Sequence, residues 1–98
     1  MNMQALMRQA QNLQKDMLKV QEEIEKSTFD GENGLVKVKV NGKKDILSIE
    51  IDKKNELTND DIELLEDMIM VALNNANKKV DSFKEQKMSK FGNIPGLF

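Results

Sequence analysis

The chain has 98 residues, of which 33% are charged and 39% are hydrophobic, and its formal net charge is −2. This length fits one small domain, and only roughly two-thirds of the unfolded surface of such a chain is buried on folding, so its own core is modest. The sequence contains no cysteine and no histidine, which excludes disulfides and thiol chemistry and removes the commonest zinc ligand and general base.

A long helix is predicted over residues 2–26. Its apolar side chains recur at alternating spacings of three and four residues: Met3, Leu6, Ala10, Leu13, Met17, Val20 and Ile24. This heptad pattern is typical of a coiled-coil seam or of a helix that lies along an apolar surface. At about 1.5 Å per residue the helix is about 38 Å long, which is more than a small sheet covers, so we expect part of it to project.

Three β-strands are predicted next, at about residues 27–31, 34–41 and 45–52. The second and third strands alternate apolar and polar residues, and the apolar set is Val36, Val38, Val40, Leu47, Ile49 and Ile51. Such alternation places one row of side chains on each face of a strand, and Asn41-Gly42 fits a type I′ turn between the two strands. The predicted antiparallel sheet has one apolar face, and its exposed edges favour pairing with a second copy.

A second helix is predicted over about residues 59–89, with Thr58 as its N-cap and Asp61 at the N3 position. Its first half is apolar nearly all round, which is typical of a helix buried on more than one side, here by the sheet and by a partner. Its second half has a narrower apolar stripe with lysines outside it. We therefore expect this half to project, as the first helix does.

These elements predict an α+β fold. The protomer has the order α-β-β-β-α, with a three-stranded antiparallel sheet that is flanked by two long helices and mediates a homodimer. Residues 1–90 form a single domain. Residues 91–98 contain the only proline and two of the five glycines, and we expect a flexible C-terminal tail that ends the second helix.

Catalytic and metal-binding motifs are missing from the sequence. Its glycines lie at predicted turns and do not have the spacing of a phosphate-binding loop. Asp52–Glu63 has the length of a calcium loop, but Lys54 and Leu57 stand where an oxygen ligand and the turn glycine are needed. The acidic residues at 60–67 are explained by the favourable field of a helix N-terminus. We therefore predict a protein that is not an enzyme and needs no metal or cofactor.

No segment of the sequence indicates a membrane. No apolar run approaches the about 20 residues that a membrane-spanning helix needs. The N-terminus, MNMQALMRQAQ, is too polar for a signal peptide. We therefore expect a cytoplasmic location.

Basic side chains cluster on the two segments that are expected to project. Lysines keep many helix surfaces solvated, but protruding basic helices also suit sequence-neutral contacts with DNA phosphates. The candidate DNA-binding residues are Arg8, Lys15, Lys19, Lys78, Lys79, Lys84, Lys87 and Lys90. Because the chain has only one arginine, a module that reads guanine through bidentate contacts is disfavoured.

Five segments, taken in order, carry a resemblance to a known family. They are LMRQAQNLQKDMLKVQEEI (6–24), GLVKVKVNG (34–42), IEID (49–52), LLEDMIMVALNNANKKV (64–80) and EQKM (85–88), and the chain closes with IPGLF. In this order and spacing the chain resembles the YbaB/EbfC family of small bacterial nucleoid-associated proteins. It departs from the family at Lys53, where a proline commonly follows the Ile-Asp pair.

The resemblance implies a homodimer that is built through the sheets and the helix starts. It also implies that the helices project from the dimer as paired arms that grip duplex DNA at the nucleoid, with weak or broad sequence preference. It implies no enzymatic activity. It supplies no sharp motif for the binding residues, so the basic candidates above rest on their charge.

A protein-interaction adaptor is the alternative function. In that interpretation the apolar seam of the first helix and the apolar tail engage a protein partner, and contact with DNA is incidental.

Overall fold

The computed structural model describes residues 2–53 and 56–92. The elements are α1 (Met3–Lys26), β1 (Thr28–Asn33), β2 (Val36–Asn41), β3 (Ile46–Ile51) and α2 (Ile62–Met88), with 3₁₀ turns at Asn59–Asp61 and Ser89–Phe91 on either side of α2. This order confirms the predicted α-β-β-β-α protomer. The predicted element boundaries agree with the structure to within about three residues.

The sheet is antiparallel throughout and has the strand order β1-β2-β3. Gly31 of β1 lies opposite Val38 of β2, and Val38 lies opposite Ile49 of β3. A bulge between Lys39 and Val40 shifts the register of β2 against β3. The sheet therefore has the predicted three strands, with β1 and β3 as its edges.

The turn between β2 and β3 differs from the predicted two-residue type I′ turn. Asn41 closes a longer loop, because its Oδ1 accepts hydrogen bonds from the N–H groups of Lys43 at 2.9 Å and Asp45 at 3.0 Å. The residue with positive φ in this loop is Lys44, at 67°. A side chain at Gly42 would meet the carbonyl oxygen of Ile24 at 1.9 Å from its Cβ. Gly42 thus serves the packing of the loop against the end of α1.

One face of the sheet packs against α2. The fully buried side chains at this contact come from β2 and α2: Val36, Val38, Val40, Ala72, Ala76 and Val80. The lysines that alternate with the valines of β2 are exposed, as the period-two pattern predicted. Each fully buried valine contributes about 2 kcal/mol relative to an exposed one. Gly31 and the two alanines allow α2 to lie close to β1, and a Cβ on Gly31 would stand 1.9 Å from the Ala72 carbonyl oxygen.

The third strand is not covered by α2, which lies over β1 and β2. Ile46, Leu47 and Ile49 are therefore 50%, 51% and 46% exposed. The sequence pattern predicted Leu47 and Ile49 on the apolar face. Ile49 lies opposite the buried Val38 as predicted, but the bulge places Ile46, and not Leu47, opposite the buried Val40. Within one chain, however, nothing in the described residues buries them.

The predicted Thr58 and Asp61 cap the 3₁₀ turn Asn59–Asp61, which leads directly into α2. The backbone N–H and the hydroxyl of Thr58 donate to Asp61 Oδ2 at 2.9 and 3.0 Å. These hydrogen bonds, the backbone one first, hold the pKa of Asp61 below its ordinary value. A carboxyl whose pKa is lowered in the folded state stabilises the fold when it is ionised, so this contribution is lost as the pH falls through that pKa.

A second, smaller cluster joins the two helices beyond the sheet. Val20 and Ile24 of α1 are buried with Met88 at the end of α2, and Phe83 and Phe91 pack against them. Lys87 Nζ lies 3.1 Å from Glu23 Oε1 across the same contact. Phe83 contacts Phe29, which follows the end of α1, whereas the later Lys87 contacts Glu23 within α1, so α2 runs antiparallel to α1.

The second half of α2 was predicted to project, but it packs against α1. Phe83 and Met88 form an apolar contact with Val20 and Ile24, which the sequence pattern did not predict. The edge-to-face contact of Phe29 with Phe83, with ring centroids 5.3 Å apart, links this cluster to the sheet. Residues 2–16 are exposed along their whole length. We call residues 3–17 the free half of α1, and with it the described chain reaches 72 Å.

Candidate nucleic-acid interface

A row of basic side chains follows α1 from its free half to its last turn. At about 100° per residue, Arg8, Lys15 and Lys19 lie within about 40° of one another around the helix axis and span about 16 Å along it. Lys26 was not among the predicted residues, yet it lies seven positions after Lys19 and falls on the same line. We call these four residues the basic row.

The side chains of the basic row are available for binding. All four are exposed, and none has an ion pair or hydrogen bond to another residue in the described part of the chain. Asp16 is the one acidic residue among positions 2–21, and the first turn of α1 contains none. The free half of α1 carries Arg8 and Lys15 against Asp16 and is therefore modestly positive, and Glu22 lies between Lys19 and Lys26 nearer to the sheet.

The predicted lysines of α2 have different surroundings. Lys79 Nζ donates to the carbonyl oxygen of Asp30 at 2.7 Å. Lys87 pairs with Glu23 and lies 5.3 Å from the centre of the Phe83 ring. Lys90 lies over the ring of Phe91 at 5.1 Å, and Lys84 also interacts within the protein. These four ammonium groups already have partners, which reduces what each gains from a phosphate.

Lys78 is the predicted α2 residue without such a contact among the described residues. It is exposed and lines a shallow depression with Asp30, Glu32 and Asn75. The two acidic side chains beside it weaken the attraction of this depression for an anion. The structure thus brings Arg8, Lys15 and Lys19 together on α1 and leaves the α2 lysines dispersed.

The face of α1 opposite the basic row is apolar. Its exposed side chains in the free half are the first residues of the heptad seam, and Met3, Leu6 and Leu13 are 71%, 43% and 45% exposed. The free half of α1 is therefore two-faced, with one cationic side and one apolar side.

A second exposed apolar surface lies at the other end of the molecule. It comprises β3 and the first half of α2: Ile46, Leu47, Ile49, Ile62, Leu64, Met70 and Val71. We call it the β3–α2 patch. Beside it, Leu35, Leu57 and Leu64 line a groove of about 220 Å³ with Asp61 at its rim. Exposed acidic residues, among them Glu50 and Glu63, lie on the same strand and helix, and β3 is an edge strand of the sheet.

The described residues hold no group of three or more acidic, histidine or cysteine side chains that could bind a metal ion. Among the helices of residues 2–53 and 56–92, none is both long and apolar enough to cross a membrane.

Comparison with known proteins places these surfaces in context. The YbaB/EbfC DNA-binding family matches residues 1–94. A nucleoid-associated protein of Pelotomaculum thermopropionicum is 45% identical over 101 residues, which cover 99% of this chain and 96% of that protein. One from Ligilactobacillus salivarius is 39% identical over 99 residues, with coverage of 99% and 95%.

The same fold occurs in a solved structure. The crystal structure of the uncharacterized protein HP0035 from Helicobacter pylori superposes with a TM-score of 0.75, covers 95% of this chain and 99% of its own, and is 20% identical in sequence. At this identity the likeness concerns the fold alone. Similarity to known proteins thus extends over nearly the whole chain.

Proposed function

The chain belongs to the YbaB/EbfC DNA-binding family, and we propose that it is a nucleoid-associated protein whose homodimer binds duplex DNA with weak sequence preference and without enzymatic activity. Its place of action is then the nucleoid, in the cytoplasm. The names of its relatives and the resemblance read from the sequence support this proposal.

The observation that carries the proposal is the basic row. Four cationic groups without partners in the described chain lie along one side of a helix whose first half stands clear of the domain. Duplex DNA carries about one negative charge per 1.7 Å of its axis, so a cationic row of this kind neutralises several phosphates and releases their counterions. Such contacts position a protein on DNA without reading its sequence.

Weak sequence preference follows from the kinds of side chain in the row. Three are lysines, whose ammonium groups act as point charges, and Arg8 is the only residue suited to a bidentate contact with guanine. We therefore expect duplexes of unrelated sequence to compete with one another within about tenfold.

The affinity for DNA is expected to depend steeply on salt. If one row contacts four phosphates, the affinity falls about 10²-fold between 50 and 200 mM salt, and if both rows of a dimer bind, the fall approaches about 10⁴-fold. Fluorescence anisotropy of a labelled duplex at several salt concentrations measures this slope. An affinity that does not change with salt would reject the proposal.

The homodimer is supported by the β3–α2 patch. Soluble monomers rarely leave so many large apolar side chains uncovered on neighbouring elements, and β3 is an edge strand of the sheet. A second copy that covers β3 and the start of α2 would satisfy both. This placement puts the free half of each α1 at the far end of its protomer.

Charges placed on β3 are expected to dissociate the dimer. Leu47→Glu with Ile49→Lys puts two unpaired charges into an apolar contact, which weakens association about 100-fold or more. Analytical ultracentrifugation should then give the mass of one chain, with helix content retained. Leu18→Lys is the matched control, because Leu18 is 54% exposed on α1, away from the patch. An unchanged dimer in the β3 variant would refute this interface.

The adaptor function remains as a second candidate, because the apolar side of the free half of α1 is exposed. Charge reversal in the basic row separates the two functions. A DNA-binding protein loses its affinity for DNA, whereas an adaptor keeps the protein partners that co-purify with it.

A further inference from the structure

The first part of the heptad seam on α1 is uncovered by the described residues. Met3, Leu6 and Leu13 are 71%, 43% and 45% exposed, whereas Val20 and Ile24, later in the same pattern, are 7% and 2% exposed. The end of α2 packs on these last two residues, so an antiparallel helix already occupies the second part of the seam. The first part offers a surface of the same kind, a regular row of apolar side chains, to another helix.

The side chains beside the seam indicate which helix fits it. When two helices pack through such a seam, charges at the flanking positions set the choice of partner. Between residues 3 and 15 of α1 the flanking positions hold Met7, Gln9 and Gln14, none of which is charged. A partner with charged flanks would gain no ion pair there, whereas a second copy of α1 meets no like charge. The flanks therefore favour a second copy.

The basic row does not oppose such a pairing. Arg8 and Lys15 lie about 170° around the helix axis from the middle of the seam. In a pair of helices with their axes 8–10 Å apart, the two rows face outwards on opposite sides and are about 20 Å apart. This distance is more than twice the Debye length of about 8 Å at physiological salt, so repulsion between the rows is largely screened.

We propose that the free halves of α1 from two molecules of the protein pack against each other as an antiparallel pair, which joins one homodimer to another. A parallel pair is blocked, because the α2 ends that cover Val20 and Ile24 would meet in the space between the two helices. An antiparallel pair directs these two ends away from each other. The proposed contact uses neither the basic row nor the β3–α2 patch.

The position of α2 also selects the register of the pair. Interleaved antiparallel seams place Leu6 opposite either Ala10 of the other copy or the seam residue seven positions later. The second register would put Met3 opposite Val20, which the end of α2 already covers. The first register puts Leu6 opposite Ala10 and Met3 opposite Leu13, and the other helix then stops about 10 Å short of Val20. The small side chain of Ala10 leaves room for the leucine that faces it.

The proposed contact is short, so we expect weak association in dilute solution. The free half of α1 is about 22 Å long, which places the contact at the low end of specific interfaces, below about 1,200 Å². Molecules that are held on the same DNA have effective concentrations in the millimolar range, which favours pairing there. Because a homodimer has two such helices, pairing at both would join dimers in series.

Cysteine cross-linking tests the register, because the natural chain contains no cysteine. Protein with Leu6→Cys is mixed with protein with Ala10→Cys under oxidising conditions. The control mixes Ala5→Cys with Asn12→Cys, which lie at similar levels along the proposed pair but more than about 100° from the middle of the seam. A disulfide requires Cα atoms within about 7 Å, so we expect the test mixture to form its mixed disulfide about tenfold faster.

Two outcomes of the cross-linking would overturn the proposal. Equal rates in both mixtures would mean that the seam does not bind a second copy, which would leave it for a different protein, as in the adaptor function. The cross-linked product should also have twice the mass of the protein before oxidation. An unchanged mass would mean that the two α1 helices of one assembly pair with each other and do not join assemblies.

Sedimentation velocity gives a second measurement without cysteines. At about 0.5 mM, a concentration at which weak contacts are populated, we expect a species heavier than the basic assembly. Leu6→Asp with Leu13→Asp should remove this species, because the charges enter the seam. Both leucines are exposed in one chain, so the fold does not depend on them. Gln11→Asp with Leu18→Asp is the matched control, with equal charge and spacing on another side of α1. The proposal fails if the natural protein forms no heavier species or if both variants keep it.

Discussion

Reversal of three charges in the basic row should lower the affinity for duplex DNA about 100-fold or more at 100 mM salt. The variant is Arg8→Glu, Lys15→Glu and Lys19→Glu. Each lost phosphate contact removes one counterion-release contribution, and the new carboxylates repel the backbone. Anisotropy titration with a labelled duplex measures the loss, and the slope of log affinity against log salt should become shallower by about three if one row binds and by about five if both rows of a dimer bind.

A matched control separates the row from the total charge of the protein. Lys39→Glu, Lys43→Glu and Lys53→Glu change the net charge equally, and these lysines are exposed and lie outside α1, on the strands and loops beyond its last turn. We expect this control to lose less than about tenfold in affinity. An equal loss in both variants would show that overall charge, and not the row, governs binding. Circular dichroism should show the same helix content in both.

Valine in place of Gly31 should destabilise the fold by about 3 kcal/mol or more. A Cβ at this position would stand 1.9 Å from the Ala72 carbonyl oxygen and 2.6 Å from the Ala76 nitrogen. Both are backbone atoms of α2, so no side-chain rotation relieves the clash. The helix must move away from β1, which opens the valine core. Urea unfolding followed by circular dichroism measures the change.

The neighbouring Glu32→Ala provides the control for Gly31→Val. Glu32 is exposed, and its contact with Lys37 is a surface ion pair of 3.8 Å. Such pairs contribute less than about 1 kcal/mol. If Gly31→Val were as mild as this control, the close approach of α2 to β1 could not be a requirement of the fold.

The order of the elements and the inner face of β2 could be predicted from the sequence, because residue spacing encodes them directly. Val36, Val38 and Val40 alternate with exposed lysines as predicted. The exposure of the apolar side chains of β3 could not be predicted in this way. Alternation tells which side of a strand is apolar, but it does not tell which neighbouring element is wide enough to cover it.

The candidate site shows the same limit. The sequence locates Lys79 and Lys87, but their partners, the Asp30 carbonyl and Glu23, lie 49 and 64 residues away in the chain. Only the tertiary packing decides that these ammonium groups are engaged while Arg8 and Lys15 are free. By contrast, the position of Lys26 in the basic row could have been predicted from the sequence, because Lys26 follows Lys19 by seven residues, as Lys15 follows Arg8.

The packing of Gly42 against the Ile24 carbonyl, together with the cluster of Val20, Ile24 and Met88, has a mechanical consequence. The last turns of α1 are held in two places, by the β2–β3 loop and by the end of α2. A force applied at the N-terminus of α1 is therefore resisted at both contacts. The angle between α1 and the sheet is therefore set by packed residues and not by a hinge. In the proposed dimer, the distance between the two α1 helices would then be fixed by the fold, and a bound duplex would have to fit that distance.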